Sequence, residues 1–252
     1  MPVRLIATFE GLKTTTPQAL VSQALEIANE GGFDYLPVRS GSHGHIIGIF
    51  DRSSPQNKNQ RVNEVYHPVG ANDLISAEAS LLHFVWTADQ QPRRLVLEGT
   101  EIRGIVTLSD IQKLPVRIAL FSLFIHFELL LTEHLRETLG DADPLSLLFG
   151  DRADRVREKW HCFQAENMDQ DAFSAMDLCD KREVAQAKGI LGKSNTSIKR
   201  SIAQIERYLR NPIAHGAEYA KTRDAARKTI RAAIATREWI KELRLALGPA
   251  NP

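Results

Sequence analysis

Two short segments spelled almost alike, Gly48-Ile49-Phe50 and Gly104-Ile105-Val106, stand 56 residues apart in the first half of a 252-residue chain. A repeat at fixed spacing is a strong restriction on fold, because one supersecondary unit is then built twice and the copies bury each other's apolar faces. The signals around each segment run in the same order. In the first copy, residues 17–30 carry helical spacing (Leu20, Ala24, Leu25, Ile27, Ala28) and stop at Gly31-Gly32. A strand over 33–39, a turn over 40–44 and a strand over 45–50 follow. In the second copy the order is a strand over Leu74–Ser76, a helix over 78–86, a strand over 95–97, a turn over 98–100 and a strand over 102–108. Residues 1–115 therefore read as two related β-α-β-β units, entered through a strand-like run at the N-terminus.

After Pro115 the pattern changes. Residues 116–139 contain no Gly or Pro, and Leu120, Phe121, Leu123, Phe124, Phe127, Leu130, Leu131 and Leu135 cover more than one face. That is the pattern of a helix buried on several sides. Its most apolar window, residues 118–132, includes His126 and Glu128 and is too short to cross a membrane, so it reads as a core helix. Helical segments are expected over about 152–167, 171–189, 196–209 and 218–247, with no strand among them, which describes a bundle. The fold class is α+β, with domains at 1–115 and 116–252. Residues 189–194, Gly-Ile-Leu-Gly-Lys-Ser, lack the spacing and the preceding strand of a phosphate loop. Cys162 and Cys179 stand in no metal-ligand spacing, and the N-terminus has no signal-peptide pattern, so a cytoplasmic protein without a zinc site or disulfide framework is expected.

The second unit closes on Gly104-Ile105-Val106-Thr107-Leu108-Ser109-Asp110. This G-h-h-T-x-x-D ending after strand, turn and strand resembles the CBS motif, which occurs in pairs whose clefts commonly hold adenosine-type nucleotides. The resemblance implies that Asp110 takes the ribose hydroxyls and that Thr107 reaches towards phosphate. Ile75 and Arg94 would contact adenine and phosphate. The first unit departs from the pattern, with Asp51 where the Thr belongs and Ser54 where the Asp belongs. At most one competent cleft is expected, and a pair that binds nothing and serves as a dimerisation platform is the alternative.

A second pattern lies near the C-terminus, at Leu209-Arg210-Asn211-Pro212-Ile213-Ala214-His215-Gly216. The residue before a proline is pushed out of the α region, so one helix should end near Arg210. Asn211 would then cap a new helix, with His215 in its first turn near free N–H groups that attract anions. A cation, an amide and an imidazole around a phosphate-sized space suit cleavage of an RNA backbone. A helix cap beside a surface histidine is the plainer reading. The R-N-x-x-x-H pattern of Arg210, Asn211 and His215 resembles the signature of HEPN domains, helical bundles many of which are endoribonucleases that need no metal. The resemblance implies a homodimer in which two motifs form one site. Glu128 resembles the polar first-helix residue that faces that site, although a satisfied core carboxylate, or an exposed one on the thin polar side of the helix, reads at least as well.

Net charge is close to zero, yet residues 199–252 hold twelve Lys and Arg against five Asp and Glu, while 1–115 hold ten against twelve. A basic end is the footprint of a nucleic-acid binder. The expected function is a nucleotide-regulated endoribonuclease, acting as a homodimer on RNA, with an adenine nucleotide as regulatory ligand, no membrane association and no catalytic cofactor, in antiviral or stress defence. The alternative is a non-catalytic nucleotide sensor whose helical domain binds RNA or a partner protein.

Overall fold

A computed structural model describes residues 1–41, 44–54, 57–216 and 218–248. Residues 42 and 43, in the turn expected over 40–44, lie outside the described residues. The chain divides into two compact units, Met1–Val116 and Arg117–Pro252.

The first unit contains α1 (Val21–Gly31), β1 (Tyr35–Arg39), β2 (Ile46–Asp51), β3 (His67–Pro68), β4 (Leu74–Ser76), α2 (Leu81–Thr87), β5 (Arg93–Glu98) and β6 (Glu101–Thr107). It holds two three-stranded sheets, ordered β1-β2-β3 and β4-β5-β6. The repeat read from the sequence extends to the hydrogen-bond register. Val38 pairs with Gly48 and Val96 with Gly104, and each hairpin has its register shift directly after that valine. The strand that opens each unit differs in length. Leu74–Ser76 runs parallel to β5, whereas in the first unit a single bridge, Thr15 to Val38, takes that place.

The two repeated glycines have a steric reason to be glycine. A Cβ on Gly48 would stand 2.1 Å from the Tyr66 ring and 2.6 Å from the His67 oxygen, and one on Gly104 would stand 2.8 Å from the Thr8 oxygen. At both positions another stretch of chain crosses the strand: β3 pairs with β2, and Thr8 bridges Ile105. The N-terminal run is accordingly not the strand expected there. Pro2 and Thr8 make isolated bridges around a 3₁₀ turn at Val3–Leu5. Ile46 and Ile49 of the first sheet cluster with Leu95 and Ile105 of the second, so the repeats share a core. Behind the first sheet, α1 packs Val21, Ala24 and Ala28 against Leu36, Val38 and Phe50.

The second unit is helical. It comprises most of α3 (Leu114–Leu139), then α4 (Arg152–Ala165), α5 (Ala172–Ala175), α6 (Leu178–Lys188), α7 (Asn195–Ile205), α8 (Asn211–Ala214) and α9 (Arg223–Leu247). Pro115 sits in the first turn of α3, where its missing N–H breaks no hydrogen bond. The helix expected over 171–189 is interrupted at Met176, and Asp177 forms a capping box that restarts it. Ser194 caps α7 and Thr222 caps α9, each accepting from the backbone N–H three residues on. Phe127, Leu131 and Leu135 of α3, Ile198 and Ile202 of α7, and Ile230, Trp239 and Leu243 of α9 form the buried core.

Two expectations for α3 need correction. Its apolar surface is only partly buried: Ile118, Phe121, Ile125 and Leu129, spaced three or four residues apart, remain 49, 44, 37 and 63% exposed. It is also long and apolar enough to cross a membrane by length and composition, with mean hydropathy 1.8 over an 18-residue window that is 33% buried. In this fold Glu128 of that helix takes an ion pair from buried Lys181 at 2.9 Å.

Candidate functional site

The four residues expected to bind nucleotide gather at one end of the second sheet. β4 and β5 run parallel from Leu74 and Arg93, and antiparallel β6 returns to end at Thr107, so Ile75, Arg94 and Thr107 share that end. A 3₁₀ turn over Leu108–Gln112 then carries Asp110. Asp110 is 7% exposed, and its Oδ2 accepts from the Thr107 N–H at 2.6 Å and the Thr107 hydroxyl at 3.2 Å. The T-x-x-D spacing is therefore a capping box: a short acceptor three residues on meets the free N–H groups of the turn's start. The other carboxylate oxygen pairs with Lys113 Nζ at 2.7 Å, and that lysine also donates to the Ile6 carbonyl at 2.5 Å.

Arg94 is 8% exposed and donates to the Leu74 carbonyl at 3.1 Å and the Thr87 hydroxyl at 3.4 Å. Burial holds its pKa below the ordinary arginine value, and Asp73 acts in the opposite direction. Its face of the sheet is that of Ile75, through the pairs Arg94–Val106 and Ile75–Val96. Thr107 faces Arg93 instead, a residue the sequence reading passed over. Arg93 lies over the Tyr35 ring at 5.1 Å, and its buried Nε has no hydrogen-bond partner among the described residues. The register shift between Val96 and Leu97 brings this about. Without that bulge, Arg94 would lie on the Thr107 face.

In the first repeat, Asp51 spends its Oδ1 on the Ser53 N–H at 2.8 Å and the Ser53 hydroxyl at 2.7 Å, and Ser54 is exposed. A separate cleft of about 500 Å³ opens at the hairpin ends, between Gly44-His45 and Glu98, Glu101 and Arg103, with Phe9 on its wall. It takes in none of the residues expected to bind nucleotide.

In the helical unit, the break expected at Arg210 does not occur. Arg210 (φ −59, ψ −58) and Asn211 (φ −63, ψ −49) are both helical, and a π turn over Glu206–Arg210 joins α7 to α8 without interruption. A proline inside a helix lacks one N–H, and its ring strikes the carbonyl four residues back. The wider π turn immediately before Pro212 opens the carbonyl row at that point. Asn211 is thus no N-cap: its Oδ1 accepts from Arg210 Nη1 at 2.9 Å. His215 is not in a first turn but closes the helix, donating its N–H to the Asn211 carbonyl at 3.1 Å before Gly216 turns left-handed at φ 69°. The helix end beside His215 offers carbonyls rather than N–H groups, so His215 does not stand at the anion-attracting helix N-terminus expected there.

His215 is exposed, and Arg210 and Asn211 are half-buried. One partner was missed by the sequence reading. Arg117, on α3, donates to the Pro212 and Ile213 carbonyls at 3.4 and 3.2 Å. Glu206, which opens the π turn, pairs with Arg182 of α6 at 3.0 Å, where both side chains are largely buried. Burial lowers the pKa values of His126 and His134 on α3, and the nearby Arg244 charge adds to the effect at His126.

No family model matches the sequence, and no curated protein matches it. Solved structures containing CBS domains align with the N-terminal part of the chain. The CBS domain of a bacterial CNNM/CorC family Mg²⁺ transporter, solved in complex with ATP, is 20% identical with a TM-score of 0.38, over 44% of this chain and 84% of that one. A conserved CBS domain protein of unknown function from Thermoplasma acidophilum is 20% identical with a TM-score of 0.38, over 44% and 67%. The CBS domains of a transcriptional regulator from Streptococcus pneumoniae are 12% identical with a TM-score of 0.39, over 44% and 96%.

Proposed function

We propose that the protein is a nucleotide-regulated, metal-independent endoribonuclease: a CBS pair at 1–115 senses an adenine nucleotide and a HEPN-like bundle at 116–252 cuts RNA as a homodimer in the cytoplasm. The observation that carries the catalytic half is the 2.9 Å bond from Arg210 to the Asn211 amide oxygen, which orients a cation five residues before exposed His215 on the same helical segment. Two such motifs across a two-fold axis supply two imidazoles and two guanidinium groups. In the proposed reaction the ribose 2′-oxygen attacks the adjacent phosphorus, and its proton passes to one His215. The bond from phosphorus to the 5′-oxygen breaks, and the leaving oxygen takes a proton from the second copy's His215. The products carry a 2′,3′-cyclic phosphate and a 5′-hydroxyl. Arg210 balances charge on the phosphate as it becomes five-coordinate, and Asn211 holds Arg210.

The sensing half rests on Asp110 and Thr107 standing together at the sheet end, with Arg94 and Ile75 in the neighbouring strands. A nucleotide ribose would take over the Asp110 oxygen now paired with Lys113. The backbone carries that change onward in two closed steps, Lys113 N–H to the Asp110 carbonyl and Val116 N–H to the Lys113 carbonyl, into α3.

The exposed apolar row on α3 favours a second reading, in which the helical unit docks a partner and cuts nothing. One experiment separates the two. Purified full-length protein is incubated with end-labelled RNA in EDTA, with and without ATP, beside His215→Ala. Cleavage to cyclic-phosphate ends by the wild type alone, at a rate changed by ATP, is the expected result. RNA bound but intact with both proteins would overturn the ribonuclease reading in favour of the second.

A further inference from the structure

The end of α8 is short and exposed. The helix spans four residues between a π turn and a left-handed glycine, and Ala214, His215 and Gly216 are all exposed. At the end of the helix the His215 N–H donates to the Asn211 carbonyl, and the Pro212 and Ile213 carbonyls lie in the terminal turn, where an α-helix leaves carbonyls without an intrahelical partner. Arg117 supplies the donor, with Nη1 at 3.4 and 3.2 Å from the two oxygens. The guanidinium is itself held, because its carbon lies 5.0 Å from the centre of the Tyr219 ring. That ring is 4% exposed, and its backbone carbonyl accepts from the Thr229 hydroxyl of α9 at 3.2 Å. Burial pushes the Tyr219 hydroxyl up to about 12, with Arg117 pulling the other way, so the ring stays a neutral platform at physiological pH.

We infer that Arg117 is a positioning residue for His215. It clamps the C-terminal carbonyls of α8 against a platform anchored on α9, and so fixes where the imidazole at the helix end stands. The inference rests on the ribonuclease reading for what His215 does, but not for how His215 is held. Because Arg117 is the fourth residue of α3, whatever tilts the start of that helix reaches the imidazole through two hydrogen bonds.

The test uses full-length protein with labelled histidine, the His215 ring signal being assigned among the eight histidines by its loss in His215→Gln. Arg117→Ala is expected to move the His215 ring resonance and to slow RNA cleavage by about 10- to 100-fold, the range a small misplacement of a catalytic group produces. Arg117→Lys keeps a cationic donor for the two carbonyls and is expected to return both readouts most of the way to wild type. A thermal melt of each variant checks that the helical unit remains folded. A His215 resonance unchanged in Arg117→Ala would overturn the inference, as would failure of Arg117→Lys to restore it while folded. A wild type inert towards RNA would remove the ribonuclease reading alone, since the resonance still decides the role of Arg117.

Discussion

Asp110 holds two positions at once, as the cap of a 3₁₀ turn and as the proposed ribose ligand, and substitutions at it can separate them. Asp110→Ala removes a charge-assisted hydrogen bond to the Thr107 N–H and the ion pair with Lys113. The first contributes about 1.5–3 kcal/mol, because it leaves a backbone donor without its acceptor. The second contributes at most about 1 kcal/mol, because the Lys113 side chain is 42% exposed and solvent screens the pair. The end of β6 should therefore open more easily by about 1.5–4 kcal/mol. Asp110→Asn keeps an oxygen for the Thr107 N–H and should lose about 1 kcal/mol. Binding behaves differently. A carboxylate accepts from both ribose hydroxyls, whereas an amide accepts through one oxygen, so Asp110→Asn should weaken ATP at least tenfold, about 1.4 kcal/mol. Hydrogen exchange on peptides covering β6 and Leu108–Gln112 reads the local opening energy, and calorimetry reads ATP affinity and stoichiometry, expected at one site per chain. Unchanged ATP affinity in Asp110→Asn would refute the ribose assignment and leave T-x-x-D a capping box. An opening energy altered by less than about 0.5 kcal/mol in Asp110→Ala would refute the capping estimate.

Two further outcomes are expected. The row of Ile118, Phe121, Ile125 and Leu129 is the apolar surface on which two copies could meet, so the wild type should be a dimer by light scattering at micromolar concentration, and Phe121→Glu with Ile125→Glu should give a folded monomer; a monomeric wild type removes the composite site. Asp171 forms a two-point pair with Arg136 at 2.6 and 2.9 Å, which holds its carboxyl down to about 2, so the stability it contributes is present above 3.8 and is lost as pH falls towards 2. Asp171→Asn retains the cap on Ser174 N–H and should lower the melting free energy by about 1 kcal/mol at neutral pH, the side chain being 42% exposed, with the difference from wild type gone near pH 2. A difference constant between those two pH values contradicts the assignment.

What could be read from the sequence was whatever a local pattern encodes. The repeat at Gly48 and Gly104 was legible because each glycine answers to a crossing chain, and the strands around it follow from alternation. The exchange of Arg94 for Arg93 beside Thr107 was not legible. One extra residue on β6, Arg103, opposite the Val96–Leu97 step decides which arginine shares the threonine's face, and bulges leave little trace in composition. The exposed row on α3 was hidden for a related reason. A helix that is apolar on every side looks fully buried until its neighbours are counted, and the packed residues Phe124, Phe127 and Leu131 have no spacing that marks them off from Phe121 and Ile125.

The Asn211-Pro212 step shows the limit of local rules most directly. Taken alone, Asn211 before a proline prefers an extended conformation, and the inferred helix break followed from that preference. The chain instead stays helical by widening the preceding turn, a compensation distributed over Glu206–Arg210 and supported from outside by Arg182 on Glu206 and Arg117 on the Pro212 and Ile213 carbonyls. None of those partners is within twenty residues of the proline. One consequence matters for the proposed chemistry. A break would have left Arg210 and His215 on two elements free to pivot, whereas the continuous path through α8 sets them five residues apart on one helical segment, with Asn211 bonded to Arg210 between them. The spacing of the motif is then a rotation around a helix end rather than a loop length, and a single inserted alanine after Ile213 would turn His215 by about 100° around the axis and move it by about 1.5 Å along it relative to Arg210.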